Sequence, residues 1–260
     1  MKLPKSKRKV SLVLGGGGSR GLTQIGVVKY LNENGFEVDE VVGCSIGALV
    51  GAAVVRNRTN ELREWMETLT KRDVFRLMDF ANPRYGLLKG DRVLERLHEV
   101  FSDIAIEDLP VRYAAIATDL RNEEEVIFRT GSLYTAIRAS MAIPGVFTGV
   151  TIGERFLVDG GVLNNVPVNH VQHQNNLVIA VNLDGLPEPK RNKMPRLGTI
   201  GLLQESYYVM RRKMSAMNLA IFKPDYTISV SQDSAGIWEF HRSNELIERG
   251  YQLAKEIIEA

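Results

Sequence analysis

The sequence predicts an α/β fold, a three-layer α/β/α sandwich in which helices cover both faces of a largely parallel central sheet. Short, mostly apolar segments such as residues 10–14 and 176–184 are typical of strands buried on both faces. Segments with apolar residues at helical spacing alternate with these strands, as in sheets whose parallel strands are joined by helical crossovers. The 260 residues, 44% hydrophobic and 25% charged, suit one domain over residues 10–260 behind a basic tail at residues 1–9.

The predicted elements begin with the strand at 10–14 and a helix over 21–32, which ends at the Asn34-Gly35 pair. A second strand leads into a helix beginning at Ile46, whose apolar residues lie on every side and indicate burial. The remaining predicted elements are helices at 61–70 and 91–101, strands at 38–43, 111–120, 124–129, 155–161, 176–184 and 225–230, and a charged, proline-rich loop at 185–198.

The carboxyl-terminal segment, residues 244–259, is predicted to form the last helix. Ser243 stands where an N-cap is expected, because its hydroxyl can accept a hydrogen bond from the first helical turn. Leu246, Leu253 and Ile257 are expected to face the core.

Composition and charge exclude several classes of protein. The single cysteine, Cys44, excludes a disulfide framework and a cysteine zinc site, and the net charge of +2 gives no indication of nucleic-acid binding. The sequence contains neither a long apolar run nor a secretory signal, so a cytoplasmic location is expected. The basic residues of the tail are interpreted as a solvated segment, and attraction to an anionic membrane surface is the alternative.

The first strand runs into four consecutive glycines in the stretch KVSLVLGGGGSRG, residues 9–21. The spacing of Gly16, Gly18 and Gly21 also fits a dinucleotide-binding fingerprint. That fingerprint requires an acidic residue at the carboxyl end of the second strand, where this chain has GCSIG instead, so we expect no nucleotide cofactor. The alternative is that the glycine backbone N–H groups bind another negative charge.

The GCSIG stretch, residues 43–47, has the Gly-x-Ser-x-Gly pattern of a nucleophile elbow at a strand-to-helix junction. In such a turn side chains at Gly43 and Gly47 would collide, and Ser45 is exposed as a nucleophile. A serine attacking a carbonyl creates an oxyanion that needs N–H donors. We expect the neighbouring strand end to bring these donors, from Gly16, Gly17 and Gly18.

A serine nucleophile also needs a base. Of the four histidines, His98, His170 and His173 fall in segments expected to be partly exposed helices, whereas His241 precedes the last helix. Asp159 follows an apolar strand and begins a Gly-Gly turn, which fits either a base or a turn-capping aspartate. A Ser45-Asp159-His241 triad therefore remains an alternative to a pair without histidine.

Taken together, these stretches resemble the patatin-like phospholipase family, above all the small bacterial members of its neuropathy-target-esterase branch. The resemblance rests on GGGGSRG, GCSIG, RASMAIPGVF and DGG, which occur in the family's order between residues 15 and 161. It implies a patatin-like sheet flanked by helices and a serine–aspartate dyad. Carried over to this chain, Ser45 is the nucleophile, Asp159 the base, and Gly16, Gly17 and Gly18 the oxyanion hole.

The implied activity is hydrolysis of fatty-acyl esters, as by a phospholipase, lysophospholipase or esterase, through an acyl-enzyme and without metal or cofactor. Asp159 is then expected to be partly desolvated, with a raised pKa. Supporting positions are Arg20, for the loop or a lipid phosphate, together with Gly43, Gly47, Gly160 and Gly161. A non-catalytic lipid-binding module with the same fold is the alternative from another class.

Two further segments carry expectations about substrate access. Residues 73–90 are a candidate lid. Residues 206–219 mix aromatic, methionine and basic residues at helical spacing, and are expected to face the core, or else to line an acyl entrance or contact a membrane peripherally.

Overall fold

The computed structural model describes residues 8–77, 102–187 and 198–260, together with Arg92, Glu95, Arg96 and His98, which are helical. The strands are β1 (Arg8–Leu14), β2 (Phe36–Cys44), β3 (Arg112–Asp119), β4 (Glu124–Phe128), β5 (Val150–Ile152), β6 (Arg155–Asp159), β7 (Leu177–Gly185) and β8 (Tyr226–Ser231). The helices with described bounds are α1 (Leu22–Glu33), α2 (Ile46–Val55), α3 (Thr59–Thr68), α4 (Lys71–Leu77), α5 (Leu133–Ser140), α6 (Thr199–Phe222) and α7 (Ser243–Glu259). Most of the predicted tail, lid and charged loop lies outside the described residues.

All eight strands form one sheet in the order β5-β6-β3-β2-β1-β7-β8, with β4 paired to β3. The pairs from β3 through β2, β1 and β7 to β8 are parallel. The three antiparallel strands, β4, β5 and β6, lie at the β3 end. The predicted three-layer architecture with a largely parallel sheet is therefore confirmed.

Side chains alternate between the two faces of β1, because successive residues of a strand point to opposite sides. Leu12 and Leu14 pack with buried residues of α1, α2, α3, α5 and α7. Val13 packs on the other face, against Val166, Val168 and Leu219, the last from α6. The sheet is thus covered by most of the helices on one face, and by α6 with the loop before β7 on the other.

The pairing around β3 brings two chain segments together at the carboxyl edge of the sheet. β2 pairs with β3 up to Cys44, opposite Ile116, and β6 pairs with β3 from Ala117 onward, where Asp159 lies opposite. Because β4 occupies the other edge of β3 along this stretch, β2 and β6 share one edge, end to end. Asp159 therefore arrives where the chain leaves β2 at Ser45.

Several details differ from the sequence-based expectations. The segment of His170 and His173 does not form the expected helix, because His170 ends a 3₁₀ turn and His173 lies beyond it. The short strand β5 was not predicted, because its three residues give too little pattern. Ser243 is not an N-cap but the first residue of α7, with helical φ and ψ, because a 3₁₀ turn at Phe240–Arg242 runs directly into the helix. Ile257 is 40% exposed instead of facing the core, whereas Leu246 is fully buried.

No helix in the described ranges has the length and apolar composition that crossing a bilayer requires. The cytoplasmic location stays a prediction.

Candidate active site

Ser45 occupies the sharp turn between β2 and α2. Its φ of 56° and ψ of −127° lie in a region that non-glycine residues rarely adopt, at a typical cost of about 1 to 3 kcal/mol. A side chain at Gly47 would lie 2.1 Å from the carbonyl oxygen of Leu14, and one at Gly43 would lie 2.5 Å from that of Gly47. The two glycines of the GCSIG stretch are thus required by close backbone packing.

Ser140, at the end of α5, supports this turn from the side. Its hydroxyl accepts the Ser45 N–H at 2.8 Å and donates to the carbonyl oxygen of Ile116 at 2.7 Å, so it links the turn to β3. Ser140 belongs to the RASMAIPGVF stretch, one of the four that carry the family resemblance, but no role was expected for this residue.

The glycine loop lies beside the turn, since β1 and β2 are neighbours and end at the same edge. A Cβ atom on Gly16 would lie 2.9 Å from that of Ser45. The Gly16 N–H donates to the carbonyl oxygen of Asn165 at 3.2 Å. In the described part of the chain the N–H groups of Gly17 and Gly18 have no hydrogen-bond acceptor, and Gly18 has a positive φ of 60°.

Asp159 is 2% exposed and lies at the end of β6. Its Oδ1 atom accepts the Gly161 N–H at 2.7 Å and lies 3.9 Å from the Cys44 Sγ atom. The Ser45 hydroxyl is close enough to favour the ionised carboxylate, yet Oδ2 has no hydrogen-bond partner of ordinary geometry among the described residues. An unpaired carboxylate oxygen is therefore buried beside the serine.

Burial raises the pKa of Asp159 above its usual value. The Ser45 hydroxyl, the Gly161 N–H and the positive charge of Arg211 act in the opposite direction, since each favours the carboxylate. Burial, followed by the neighbouring Asp159, also raises the pKa of the Cys44 thiol well above its usual value. Cys44 is fully buried and uncharged, as expected from the turn geometry.

The histidines lie apart from this pair in the described hydrogen-bond pattern. His241 belongs to the 3₁₀ turn before α7 and has no hydrogen bond to Ser45 or Asp159. His170 instead bonds Glu125 at 2.6 Å, and His173 lies 3.5 Å from Asp39. The described contacts thus give no support to the triad alternative.

Arg20 follows the glycine loop and is 2% exposed. One guanidinium nitrogen donates to the carbonyl oxygens of Gln232 at 3.0 Å and Ala235 at 3.2 Å. The neighbouring Ser19 hydroxyl donates to the carbonyl oxygen of Gly236 at 2.7 Å. Arg20 thus holds the loop against the segment after β8 through carbonyl groups, which favours the supporting interpretation over contact with a lipid phosphate.

An apolar cavity opens beside Ser45, with about 770 Å³ of empty volume when its open mouth is included. Its lining includes the buried side chains of Leu49, Met66 and Val74, which are 1 to 8% exposed. At the mouth the half-buried rings of Phe147 and Trp238 pack edge to face, 6.1 Å apart. Its lining comprises Gly18, Ser45, Ile46, Leu49, Trp65, Met66, Leu69, Val74, Met141, Ile143, Phe147, Ile237, Trp238 and Phe240.

The other side of the serine is polar. Asn165 donates to Asp184 Oδ2 at 2.7 Å and to the Gly16 carbonyl oxygen at 3.0 Å, and Asp184 forms a two-point ion pair with Arg211. We call Asn165, Asp184 and Arg211 the Arg211 network. Asn165 was not expected to be a site residue. The position of Asp184 at the carboxyl end of a parallel strand was an available signal, whereas nothing in the sequence marks Arg211.

The described residues contain no group of three histidine, cysteine, aspartate or glutamate side chains arranged to hold a metal ion. The candidate site therefore consists of a serine, a buried carboxylate, a glycine loop with free N–H groups and an apolar cavity.

Comparison with known proteins identifies the family to which the chain belongs. A family model described as patatin-like phospholipase matches residues 12–171. An uncharacterized NTE family protein of Mycobacterium tuberculosis is 39% identical over 194 residues, which are 74% of this chain and 54% of that protein. The neuropathy target esterase of Drosophila melanogaster is 36% identical over 167 residues, which are 62% of this chain and 12% of that protein.

The match thus spans about half the length of the mycobacterial relative, and much less of the insect one. Among solved structures, VipD from Legionella pneumophila superimposes with a TM-score of 0.52 at 12% identity, covering 98% of this chain and 67% of that one, which supports the fold. The chain belongs to the patatin-like phospholipase family, in its neuropathy-target-esterase-like branch.

Proposed function

We propose that this protein is a serine acyl-ester hydrolase of the phospholipase, lysophospholipase or esterase type. The observation that carries the proposal is the position of Ser45, which lies at the wall of an apolar cavity and beside the buried, unpaired Oδ2 atom of Asp159. An acyl chain fits the cavity chemically, because the cavity offers apolar surface to the chain and the serine oxygen to its carbonyl carbon.

In the first half of the reaction, Asp159 takes the Ser45 hydroxyl proton as Oγ attacks the acyl carbonyl. The tetrahedral intermediate collapses, the alcohol leaves with that proton, and the acyl group stays on Ser45. Asp159 then takes a proton from water, whose oxygen attacks the acyl-enzyme. The second tetrahedral intermediate collapses, the fatty acid leaves, and Asp159 returns the proton to Ser45 Oγ. A raised pKa makes Asp159 a stronger base for both proton transfers.

The oxyanion is stabilised in this proposal by the N–H groups of Gly17 and Gly18, which have no other described acceptor. Gly16 contributes by its small size next to Ser45, since its own N–H donates to Asn165. Losing one such donor typically costs about 3 to 4 kcal/mol of transition-state stabilisation.

The test is hydrolysis of p-nitrophenyl esters of increasing acyl length, and of a lysophospholipid, by the wild type and by Ser45→Ala, Asp159→Ala and His241→Ala. Folding of each variant is verified by circular dichroism. We expect turnover to fall by about 10³-fold or more without Ser45 or Asp159. The His241 variant should keep its activity.

Each alternative gives a different result in this experiment. A large loss of turnover in His241→Ala would favour the Ser45-Asp159-His241 triad over the pair without histidine. An unchanged rate in Ser45→Ala would assign the hydrolysis to another protein or site, and binding of lipid without turnover by the wild type would favour the non-catalytic module.

We propose in addition that the outer face of α6 contacts an anionic phospholipid bilayer. This outer face consists of the exposed apolar residues Leu202, Leu203, Val209, Met210, Met217 and Ile221, each 45 to 66% exposed, with Lys213 among them. Every exposed charged residue that the structure describes from α6 to its C-cap is basic, Lys213 and Lys223. Four further bases, Lys190, Arg191, Lys193 and Arg196, precede the helix in sequence. Each base near an anionic surface contributes about 1 kcal/mol.

Sedimentation with phosphatidylcholine vesicles, with and without phosphatidylglycerol, tests this contact. The double variant Met210→Glu and Met217→Glu should lose vesicle binding, whereas Ile152→Glu, an exposed position on the edge strand β5, should not. Equal binding by both variants would overturn the assignment. Concentration-dependent dimerisation that only the α6 variant abolishes would instead assign the face to a second copy of the chain.

A further inference from the structure

The buried ion pair between Asp184 and Arg211 lies next to the candidate active site. Asp184 is 2% exposed at the end of β7, and Arg211 is 8% exposed on α6. The guanidinium binds both carboxylate oxygens, at 2.9 Å and 2.5 Å, and its carbon lies 5.6 and 5.4 Å from the ring centroids of Tyr207 and Tyr208. This geometry fixes the guanidinium in one place.

Arg211 reaches Asp159 across Gly161. A Cβ atom on Gly161 would lie 2.9 Å from Asp159 Oδ1 and 3.5 Å from the Arg211 Cδ atom, so a side chain at this position would enter the space between the two. The Gly161 N–H is also the donor to Asp159 Oδ1. The Arg211 side chain therefore packs against the residue that holds the carboxylate in place.

Asp184 connects its ion pair with Arg211 to the glycine loop. Its Oδ2 atom accepts a hydrogen bond from the side-chain amide of Asn165 at 2.7 Å, and that amide also donates to the Gly16 carbonyl oxygen. The main-chain carbonyl oxygen of Asn165 accepts the Gly16 N–H. Gly16 is thus held through both of its backbone polar groups by one residue, which Asp184 orients.

Stability alone explains such a pair poorly. Desolvation of two buried charges usually offsets most of their attraction, and replacing a buried ion pair with apolar residues of similar size is often neutral or stabilising. Both residues also lie beyond residue 171, where the match to the family model ends.

We propose that the Asp184–Arg211 pair is a positioning device for the reaction, in which Arg211 keeps Asp159 ionised and Asp184 holds Arg211 and Asn165 in place. This inference rests on the proposed function, because it assigns Asp159 the part of the base. Arg211 supplies a nearby positive charge that opposes the effect of burial on the carboxylate.

The other titratable groups around Asp159 are neutral or already paired. Cys44, from β2, and Tyr207, from α6, both have a pKa raised by burial, so each stays protonated. Glu125, from β4, bonds His170 and Asn164, and despite its partial burial these hydrogen bonds hold its pKa below the usual value. Arg211 is therefore the charged group that most favours the ionised form of Asp159, and Asp184 is the partner that compensates the charge of Arg211.

The test is the pH profile of kcat/KM on a soluble p-nitrophenyl ester. Arg211→Met removes the positive charge, so the acid limb should move to higher pH and kcat/KM at the acid end should fall about tenfold more than on the plateau. Asp184→Asn leaves Arg211 uncompensated, so its acid limb should move to lower pH. The double variant should lie between the two.

Arg212→Met is the matched control, since Arg212 is the next residue on α6 and bonds Gln232 instead of the site. Its acid limb should stay at the wild-type pH. A merely structural pair predicts that both single variants lose stability and activity equally at all pH values, with no opposite displacement of the limb. That result would overturn the proposal.

An infrared titration of the carboxyl groups, with the spectrum of the Asp159→Asn variant subtracted, reads the ionisation of Asp159 without any turnover. Opposite displacements of this signal in Arg211→Met and Asp184→Asn would support the electrostatic part even if Ser45→Ala showed that the proposed hydrolysis is wrong. An unchanged signal in both folded variants would overturn it, whatever the activity.

Discussion

The two sides of Ser45 differ in polarity: one is an apolar cavity and the other is a network of polar and charged side chains. On one side the apolar cavity is lined by side chains such as Leu49, Met66 and Trp238, which offer dispersion contacts without directed bonds. On the other side, directed hydrogen bonds and an ion pair at 2.5 to 3.0 Å connect the Arg211 network to Gly16. The Arg211 side chain of this network lies beside Gly161, whose N–H donates to Asp159.

The difference shows how each side should respond to change. Dispersion contacts are individually weak, so an apolar wall can change shape and still exclude water. A buried polar network has to be complete, because each unpaired group in it costs about 1 to 3 kcal/mol. We therefore expect substitutions in the cavity to alter which substrates react, and substitutions on the polar side to alter whether any substrate reacts.

The largest effect is expected for Asp159→Asn, which keeps the shape of the polar side and removes its charge. Turnover of all esters should fall by about 10³-fold or more, while the protein becomes more stable at neutral pH. Burial raises the pKa of Asp159, so the folded state binds this proton more tightly than the unfolded state, and ionisation destabilises the fold.

The stability difference between Asp159→Asn and the wild type should depend on pH. The advantage of the Asp159→Asn variant over the wild type should be absent below the unfolded pKa of about 3.9, grow as the pH rises through the folded pKa, and stay constant above it. Thermal melts at a series of pH values test this. A variant that is less stable than the wild type at pH 7 would show that the charged carboxylate supports the fold.

An intermediate, selective effect is expected on the apolar side for Met66→Trp. The larger side chain takes up volume in the cavity, so kcat/KM should fall about 10- to 100-fold for long acyl esters and change little for short ones. Overpacking should also cost about 1 to 3 kcal/mol of stability. Ile257→Trp, at an exposed position on α7, controls for the added ring. Equal loss on short and long esters would place the acyl chain elsewhere.

The smallest effect is expected for Ser140→Ala, which weakens the support of the turn while leaving both sides of the serine in place. The Ser45 N–H and the Ile116 carbonyl oxygen lose their partner, so we expect a loss of about 1 to 3 kcal/mol in stability and about tenfold in kcat. Ser140→Thr keeps the hydroxyl and should recover most of the kcat. Full activity in the alanine variant would show that the turn holds itself.

Much of the fold could be predicted because its elements carry strong local patterns. The mostly apolar run at 10–14 lies within β1, and the one at 176–184 lies within β7 apart from its first residue. The Asn34-Gly35 pair ends α1, where Gly35 has a positive φ of 76°. β5 was missed because three residues give no periodicity. The N-cap at Ser243 was wrong because the 3₁₀ turn at Phe240–Arg242 continues into α7 and places Ser243 inside the helix.

The candidate site divides in the same way. Ser45, Asp159 and the glycine loop could be proposed because turn geometry restricts residue types over a few positions, and such restrictions are visible in a sequence. Arg211 could not, because its importance comes from the residues it meets across 27 positions of sequence at Asp184 and across the fold at Gly161.

The sequence by itself therefore determined the parallel sheet, the strained turn at Ser45, and the presence of a hydroxyl, a carboxylate and glycine N–H groups at the carboxyl edge of the sheet. Each of these depends on short-range sterics and hydrophobic periodicity. Only the tertiary structure decided that β6 continues the edge that β2 leaves, that a cavity forms on one side of the serine, and that a buried ion pair stands behind Asp159. Those features follow from contacts between segments distant in the chain, whose geometry no local pattern encodes.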